Sequence, residues 1–308
     1  MDIREFTFEG ADKKPIFARR WESKTDMPTK GVIQIAHGMT ETGKRYERFA
    51  KFLTERGYIV YINDHRGHGE TEQDMEGLGF FAENEGFDLL VKDMKILTDI
   101  IKKENQGLPV YLFGHSMGSF ASQKYLIDYP DEVRAVVLAG SNGDFGPLIK
   151  LALPLLHVIE KIKGARHRSA FIENAVFGAN NKKFKEKRTK YDWLSRDEEE
   201  VDKYIKDEKC GFMCTVEFYR DFVKGLIYIE SDKNLKKLSK SVPIMIISGD
   251  ADPIGKNGEG VKNLYRRYKK YGVKDVTMKL YPDARHELLN EINREEIMYD
   301  IVRWFNSK

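Results

Sequence analysis

Two alternating rhythms of apolar residues run along this 308-residue chain. Gly31–Ala36, Tyr58–Ile62, Pro109–Phe113 and Arg134–Ala139 are short, nearly continuous apolar runs, which reads as strands buried on both faces. Between them, longer stretches put apolar residues at helical spacing. Phe49, Phe52 and Leu53 do so within Tyr46–Arg56, and Leu90, Met94, Leu97 and Ile101 within Phe87–Lys103. A further helix is expected over Ser116–Tyr129. Strands alternating with helices of this length predict an α/β fold, with a mostly parallel central sheet and helices on both faces. Ile3–Phe8 and Pro15–Trp21 read as two extended segments ahead of it. The rhythm returns late in the chain, with strands at Pro243–Ser248 and Asp275–Tyr281 and helices at Gly258–Tyr271 and Leu288–Asn306.

From Ser141 to Ser241 the alternation stops, and no convincing strand is present. The expected organisation is therefore an α/β core of residues 1–141 and 241–308, carrying a helical cap at 142–240. The cap sequence holds an apolar helix at Pro147–Lys163, expected to be interrupted at Pro154. It also holds a basic run at Lys182–Lys190, an acidic run at Asp197–Asp202, and an amphipathic helix around Thr215–Gly225. No internal repeat or low-complexity tract is visible.

Composition narrows the function classes. Hydrophobic residues make up 41% and charged residues 33%, enough for a sizeable core with charge of both signs. No apolar run approaches the ~18–20 residues of a membrane span. Met1–Gly10 lacks the basic start and apolar stretch of a secretory leader, so a cytoplasmic protein is expected. A net charge of +3 does not argue for nucleic acid. Residues 143–241 carry 21 basic and 16 acidic side chains, a weakly basic balance that would favour an anionic surface. Two cysteines, Cys210 and Cys214, exclude a disulfide framework and read as buried thiols.

Gly114-His-Ser-Met-Gly118 follows a predicted strand and opens a predicted helix. A serine on such a turn projects its hydroxyl from the carboxyl edge of a sheet, above a helix N-terminus that favours negative charge. Serine is a weak nucleophile near neutral pH and needs a base. Of seven histidines, His286 lies just after the last predicted strand, where a loop faces the same crevice as Ser116. The orienting acid should also follow a strand. Asp250 and Asp252 compete, and Asp252 is favoured because Pro253 holds it extended. The order Ser116, Asp252, His286 matches α/β-hydrolases. An oxyanion hole would use the backbone N–H groups of Met117 and Met39.

With these motifs on the page, the sequence resembles the α/β-hydrolase superfamily, in its monoacylglycerol lipase and lysophospholipase branch, described as serine aminopeptidase S33-like. The matching pieces are His37-Gly38-Met39, Asp64-His-Arg-Gly-His-Gly69, Gly114–Gly118, Gly249-Asp-Ala-Asp-Pro-Ile254 and Arg285-His286. The resemblance implies that the insertion is a lid. This chain departs from the pattern at Met39-Thr-Glu-Thr-Gly-Lys-Arg-Tyr46, where only Arg45-Tyr46 survives, and at Gly255-Lys-Asn-Gly258. Asp64, His65 and His68 lack the spacing of a known metal site; the glycines are expected to permit the turn, and Asp64, Arg66 and His68 to tie it down by hydrogen bonds.

The function expected is hydrolysis of a small amphipathic acyl ester, a monoacylglycerol or a lysophospholipid, through an acyl-enzyme on Ser116. No metal or organic cofactor is required. Leu148, Leu151, Leu155 and Ile159 are expected to line the acyl-chain pocket, and the cap to touch a membrane surface. Two other readings stay open: an amidase, peptidase or thioesterase with the same three residues, and a binding module of the same fold without activity.

Overall fold

The computed structural model describes residues 1–25, 27–147, 149–184 and 187–308. Eight strands form one sheet: β1 Asp2–Glu9, β2 Pro15–Glu22, β3 Gly31–Ala36, β4 Tyr58–Asn63, β5 Val110–His115, β6 Ala135–Ala139, β7 Ile244–Gly249 and β8 Val276–Tyr281. Their order is β1-β2-β4-β3-β5-β6-β7-β8. β1 and β2 pair antiparallel, β2 pairs antiparallel with β4, and the remaining neighbours are parallel. The mostly parallel sheet expected from the apolar rhythm is present.

Around it lie α1 Glu47–Thr54, α2 Gly86–Glu104, α3 Met117–Asp128, α9 Glu259–Lys270 and α10 Arg294–Asn306. Alternate residues of each strand feed opposite faces, as a period of two requires. Ile33, Val60, Phe113, Val137 and Ile247 pack with Phe49 and Leu53 of α1 and Ile297 and Ile301 of α10. Val32, Ile59, Leu112, Val136 and Ile246 pack on the other face, with α2, α3 and α9 through Leu90, Tyr125 and Leu264. The inner strands β3 to β7 are buried along their whole length and largely apolar because both of their faces are covered, whereas the edge strand β1 is mostly exposed.

Between β6 and β7 the described residues form five helices and no strand of the sheet: α4 Ile149–Lys163, α5 Ala170–Phe177, α6 Glu198–Lys206, α7 Val216–Glu230 and α8 Asp232–Leu235. One of them, α4, differs from expectation in ways the sequence could not decide. α4 runs unbroken through Pro154, an exposed position where the helix loses one backbone bond on its water-facing side. Its apolar residues occupy both faces. Ile149, Ala152, Leu156 and Ile159 turn inward onto the core, whereas Leu151 is 67% and Leu155 51% exposed.

Another difference lies near the C-terminus. The expected helix Leu288–Asn306 is a single turn at Leu288–Asn290, followed by α10 from Arg294. Glu291 breaks it. Its fully buried carboxylate turns inward to accept the Arg285 N–H at 2.7 Å and to pair with Arg196 at 2.7 Å.

The two faces of α4 predict opposite responses. Leu156→Ala should lower unfolding stability by about 2–5 kcal/mol, while Leu151→Ala should change it by no more than about 0.5 kcal/mol. Urea unfolding of both variants checks this, and equal losses would contradict the assigned faces.

Candidate active site

Chain winding creates the crevice. β3 is flanked by β4 on one side and β5 on the other, so successive connections leave in opposite directions and the loops at their carboxyl ends part. Ser116 sits at that edge, between β5 and α3, with φ 51° and ψ −119°. Such a backbone costs about 1–3 kcal/mol and persists only where its surroundings enforce it. Enforcement comes from close packing. A Cβ on Gly118 would lie 2.1 Å from the Ala36 carbonyl oxygen, and one on Gly114 would lie 2.4 Å from Ser122 Oγ. The Ser116 N–H donates to the Ala139 carbonyl at 2.9 Å, fixing the turn to β6.

After β3, three successive backbone N–H groups have different fates. Gly38 donates to Glu41 Oε1 at 2.5 Å and Thr40 to His68 Nε2 at 3.1 Å. Met39, between them, has no partner for its N–H among the described residues. Met117 opens α3, where the first N–H groups have no intrahelical acceptor. Met39, Ser116, Met117 and His286 line one cavity of about 740 Å³.

His286 follows β8. Its Nδ1 lies 3.0 Å from both carboxylate oxygens of Asp252, and both residues are buried. Asp252 also accepts the Ile254 N–H at 2.9 Å and the Ser248 hydroxyl at 3.0 Å. Burial alone would raise the Asp252 pKa. The neighbouring His286 ring and these hydrogen bonds outweigh it and hold the carboxyl below its usual range. An ionised Asp252 takes the Nδ1 proton as its hydrogen bond, which leaves the Nε2 lone pair as the free end of the ring.

A buried ion cluster links these loops. Arg45 donates to Glu41 at 2.6 Å and grips Glu287 through two bonds of 2.6 Å. Glu41 also accepts the Tyr46 hydroxyl at 2.8 Å and lies 3.2 Å from His115 Nδ1. Burial would push the Glu41 pKa up, but the His115 hydrogen bond and the Arg45 charge hold it well below the carboxylate range. Burial would likewise lower His115, and its contact with Glu41 raises it instead. The cluster therefore joins the loop after β3, the residue before Ser116 and the residue after His286.

The stretch between β6 and β7 packs on the same loops. Trp193 stands against the His286 ring with centroids 5.0 Å apart. The His286 N–H reaches the Trp193 carbonyl at 3.4 Å, and the Glu287 N–H the Leu194 carbonyl at 2.7 Å. On α6, the Tyr204 hydroxyl donates to the Thr40 carbonyl at 3.0 Å. The apolar wall of the cavity comes from Phe120, Phe145, Phe222 and Leu226. Of the four residues expected there, Leu151 and Leu155 point to the outside. Ile159 packs on the core without lining the cavity, and Leu148 lies outside the described residues. Both faces of α4 carry apolar residues, and α3, α7 and Phe145 of the loop after β6 supply the wall instead.

The sequence profile described as serine aminopeptidase, S33, matches residues 27–293. The chain belongs to that family. It is an α/β-hydrolase similar to the monoacylglycerol lipases. It is 27% identical to the monoacylglycerol lipase of Mycolicibacterium smegmatis, over 98% of this chain and 97% of that protein. It is 28% identical to the monoglyceride lipase of Homo sapiens, over 97% of this chain and 89% of that protein. Among solved structures, a carboxyl esterase from Bacillus coagulans superposes with a TM-score of 0.92 at 27% identity, covering 100% of this chain and 99% of that one.

In this member of the S33 family, Asp64–Gly69 is scaffolding. Asp64 accepts the Gly43 N–H at 2.6 Å and the Glu70 N–H at 2.8 Å. Arg66 pairs with Asp93 and Asp12. His37 accepts the His65 N–H at 2.9 Å, and its ring lies tilted against His65 and edge-on to His68, whose Nε2 holds the Thr40 N–H after Met39. Cys210 and Cys214 are free and buried. Sequence reading missed Glu41, Glu287 and Trp193. Glu287 adjoins His286, but nothing local signals that Arg45 would reach it.

Removing one partner of a buried ion pair leaves a charge uncompensated. Arg45→Met should cost about 3–5 kcal/mol in urea unfolding, against a smaller loss if Glu287 alone anchored the loop. The histidines set an acid limit. Burial lowers the His68 pKa to about 3, while the unfolded chain binds that proton below about 6.5. Within that window the unfolded state holds more protons, so stability should fall as pH falls. Thermal unfolding at stepped pH should show a smaller slope in His68→Gln than in the unaltered protein.

Proposed function

We propose that the protein hydrolyses carboxylic esters of monoacyl lipids, monoacylglycerols or lysophospholipids, through an acyl-enzyme on Ser116. The observation that carries this reading is the Asp252–His286 pair at 3.0 Å, which leaves one imidazole nitrogen free in the cavity that Ser116 also lines. The lipase and esterase names of the relatives support an ester as the bond.

In this reading Ser116 Oγ attacks the acyl carbonyl while His286 Nε2 takes its proton. Asp252 holds the imidazole and stabilises the imidazolium without accepting the proton. The oxyanion meets the N–H groups of Met39 and Met117, each worth about 10²–10³ in rate. His286 then gives the proton to the departing alkoxide. Water, activated by the same nitrogen, attacks the acyl-enzyme and releases the acid.

Residues 142–240 act as a cap over this cavity, and the outward face of α4 supports contact with a lipid surface. Leu151, Leu155, Val158 and Ile162 recur on that face at helical spacing, next to Lys150, Lys161 and Lys163. An apolar stripe beside lysines suits an interface of acyl chains and anionic head groups.

Ser116→Ala should abolish labelling by a fluorophosphonate probe and lower ester hydrolysis by at least about 10³-fold, and Asp252→Asn should lower it by about 10⁴-fold. A series of p-nitrophenyl esters against aminoacyl anilides tests the bond. Faster turnover of the anilides would overturn the lipase reading.

A further inference from the structure

The cavity wall has two chemically different parts. On one, Phe120 meets Phe145 with ring centroids 5.2 Å apart and Phe222 at 6.0 Å, a surface for an acyl chain. The other is built by the stretch that follows α5, and it carries donors that the acyl-transfer chemistry does not use. Asn180 is only 8% exposed, lines the cavity, and its amide nitrogen has no hydrogen-bond partner among the described residues. A buried unpaired amide is costly, and a ligand oxygen in the cavity removes that cost.

Lys190 lines the same cavity. Its ammonium stands over the Tyr191 ring, 4.7 Å from the centroid, and forms no ion pair among the described residues. Lys256, the other cavity lysine, is already paired with Asp144 at 3.4 Å. Asn181 holds the stretch in shape. Its Nδ2 donates to the Thr189 carbonyl at 2.8 Å, and its Oδ1 accepts the Trp193 N–H at 2.8 Å. The Asn180–Lys190 side is thereby fixed to the residue that stands against His286. Glu173 of α5 also lines the cavity, and its charge repels an anion from that helix.

We propose that Asn180 and Lys190 form a head-group subsite for the phosphate of a monoacyl glycerophospholipid. The inference rests on the acyl-ester reading above and selects, from its two lipid classes, the lysophospholipid. An amide N–H and an ammonium are donors only, and an acceptor-rich anion satisfies both. The carbonyl would lie at Ser116 with the chain on the phenylalanine wall, and the alcohol part would lie along the Trp193 side.

The test compares kcat/KM for lysophosphatidic acid and for monoacylglycerol of the same short acyl chain. The unaltered enzyme should favour the phosphorylated lipid by about 10–100-fold, the span of one or two charge-assisted hydrogen bonds. Lys190→Gln and Asn180→Ala should remove most of that preference, lowering kcat/KM for lysophosphatidic acid by about 10-fold or more and for monoacylglycerol by far less. Lys182→Gln, an exposed lysine that does not line the cavity, should leave both rates unchanged. Glycerol 3-phosphate should inhibit p-nitrophenyl octanoate hydrolysis more strongly than glycerol does, and less so in Lys190→Gln. Equal turnover of the two lipids, or equal losses on both in the variants, overturns the subsite while ester hydrolysis stands. Failure to turn over either lipid or the octanoate overturns the acyl-ester reading and the subsite with it.

Discussion

Arg45 lies between Glu41 and Glu287, and through them it joins the loop after β3 to the loop after β8. Glu41 in turn holds the Gly38 N–H and the Tyr46 hydroxyl and touches His115. Loops at a sheet edge have few neighbours of their own, and apolar packing would fix their depth without fixing their direction. Directional bonds to one planar guanidinium fix both. Burial would favour the neutral form of Glu41, and the His115 hydrogen bond with the Arg45 charge holds its carboxyl well below the usual range. The free Met39 N–H, the turn at Ser116 and the orientation of His286 all depend on loops held in this way.

Much of the fold was legible because it is written locally. Continuous apolar runs such as Gly31–Ala36 identify strands covered on both faces, and Gly118 marks the point where α3 comes within contact of the β3 carbonyl end. Ser116, Asp252 and His286 each follow a strand, so the topology of a parallel sheet brings them to one edge. The sequence was ambiguous where two faces looked alike. α4 carries apolar residues on both faces, and only packing against the core shows that Leu156 is inside and Leu151 outside. Long-range polar pairing left no trace in the sequence. Arg45 and Glu287 are 242 positions apart, and nothing in either neighbourhood names the other.

The histidines illustrate how one residue type divides its work. His286 keeps a carboxylate partner and a free nitrogen in the cavity. His37, His65 and His68 are buried where burial lowers their pKa values, so they serve as neutral donors and acceptors in a rigid layer under the Met39 loop. A protonated ring there would lose its acceptor role toward the Thr40 and His65 N–H groups.

The ladder between Trp193–Leu194 and His286–Glu287 constrains how the inserted segment can move. A hinge placed within that ladder would swing the imidazole away from Ser116 each time a ligand entered. The Trp193 end of the insertion therefore behaves as masonry, continuous with the sheet edge. Any doorway has to be cut on the opposite side, where α4 and α5 expose apolar surface to the surroundings. An opening on that side would leave the Asp252–His286 hydrogen bond and the turn at Ser116 in place, so a change of shape there is decoupled from the geometry of the sheet edge.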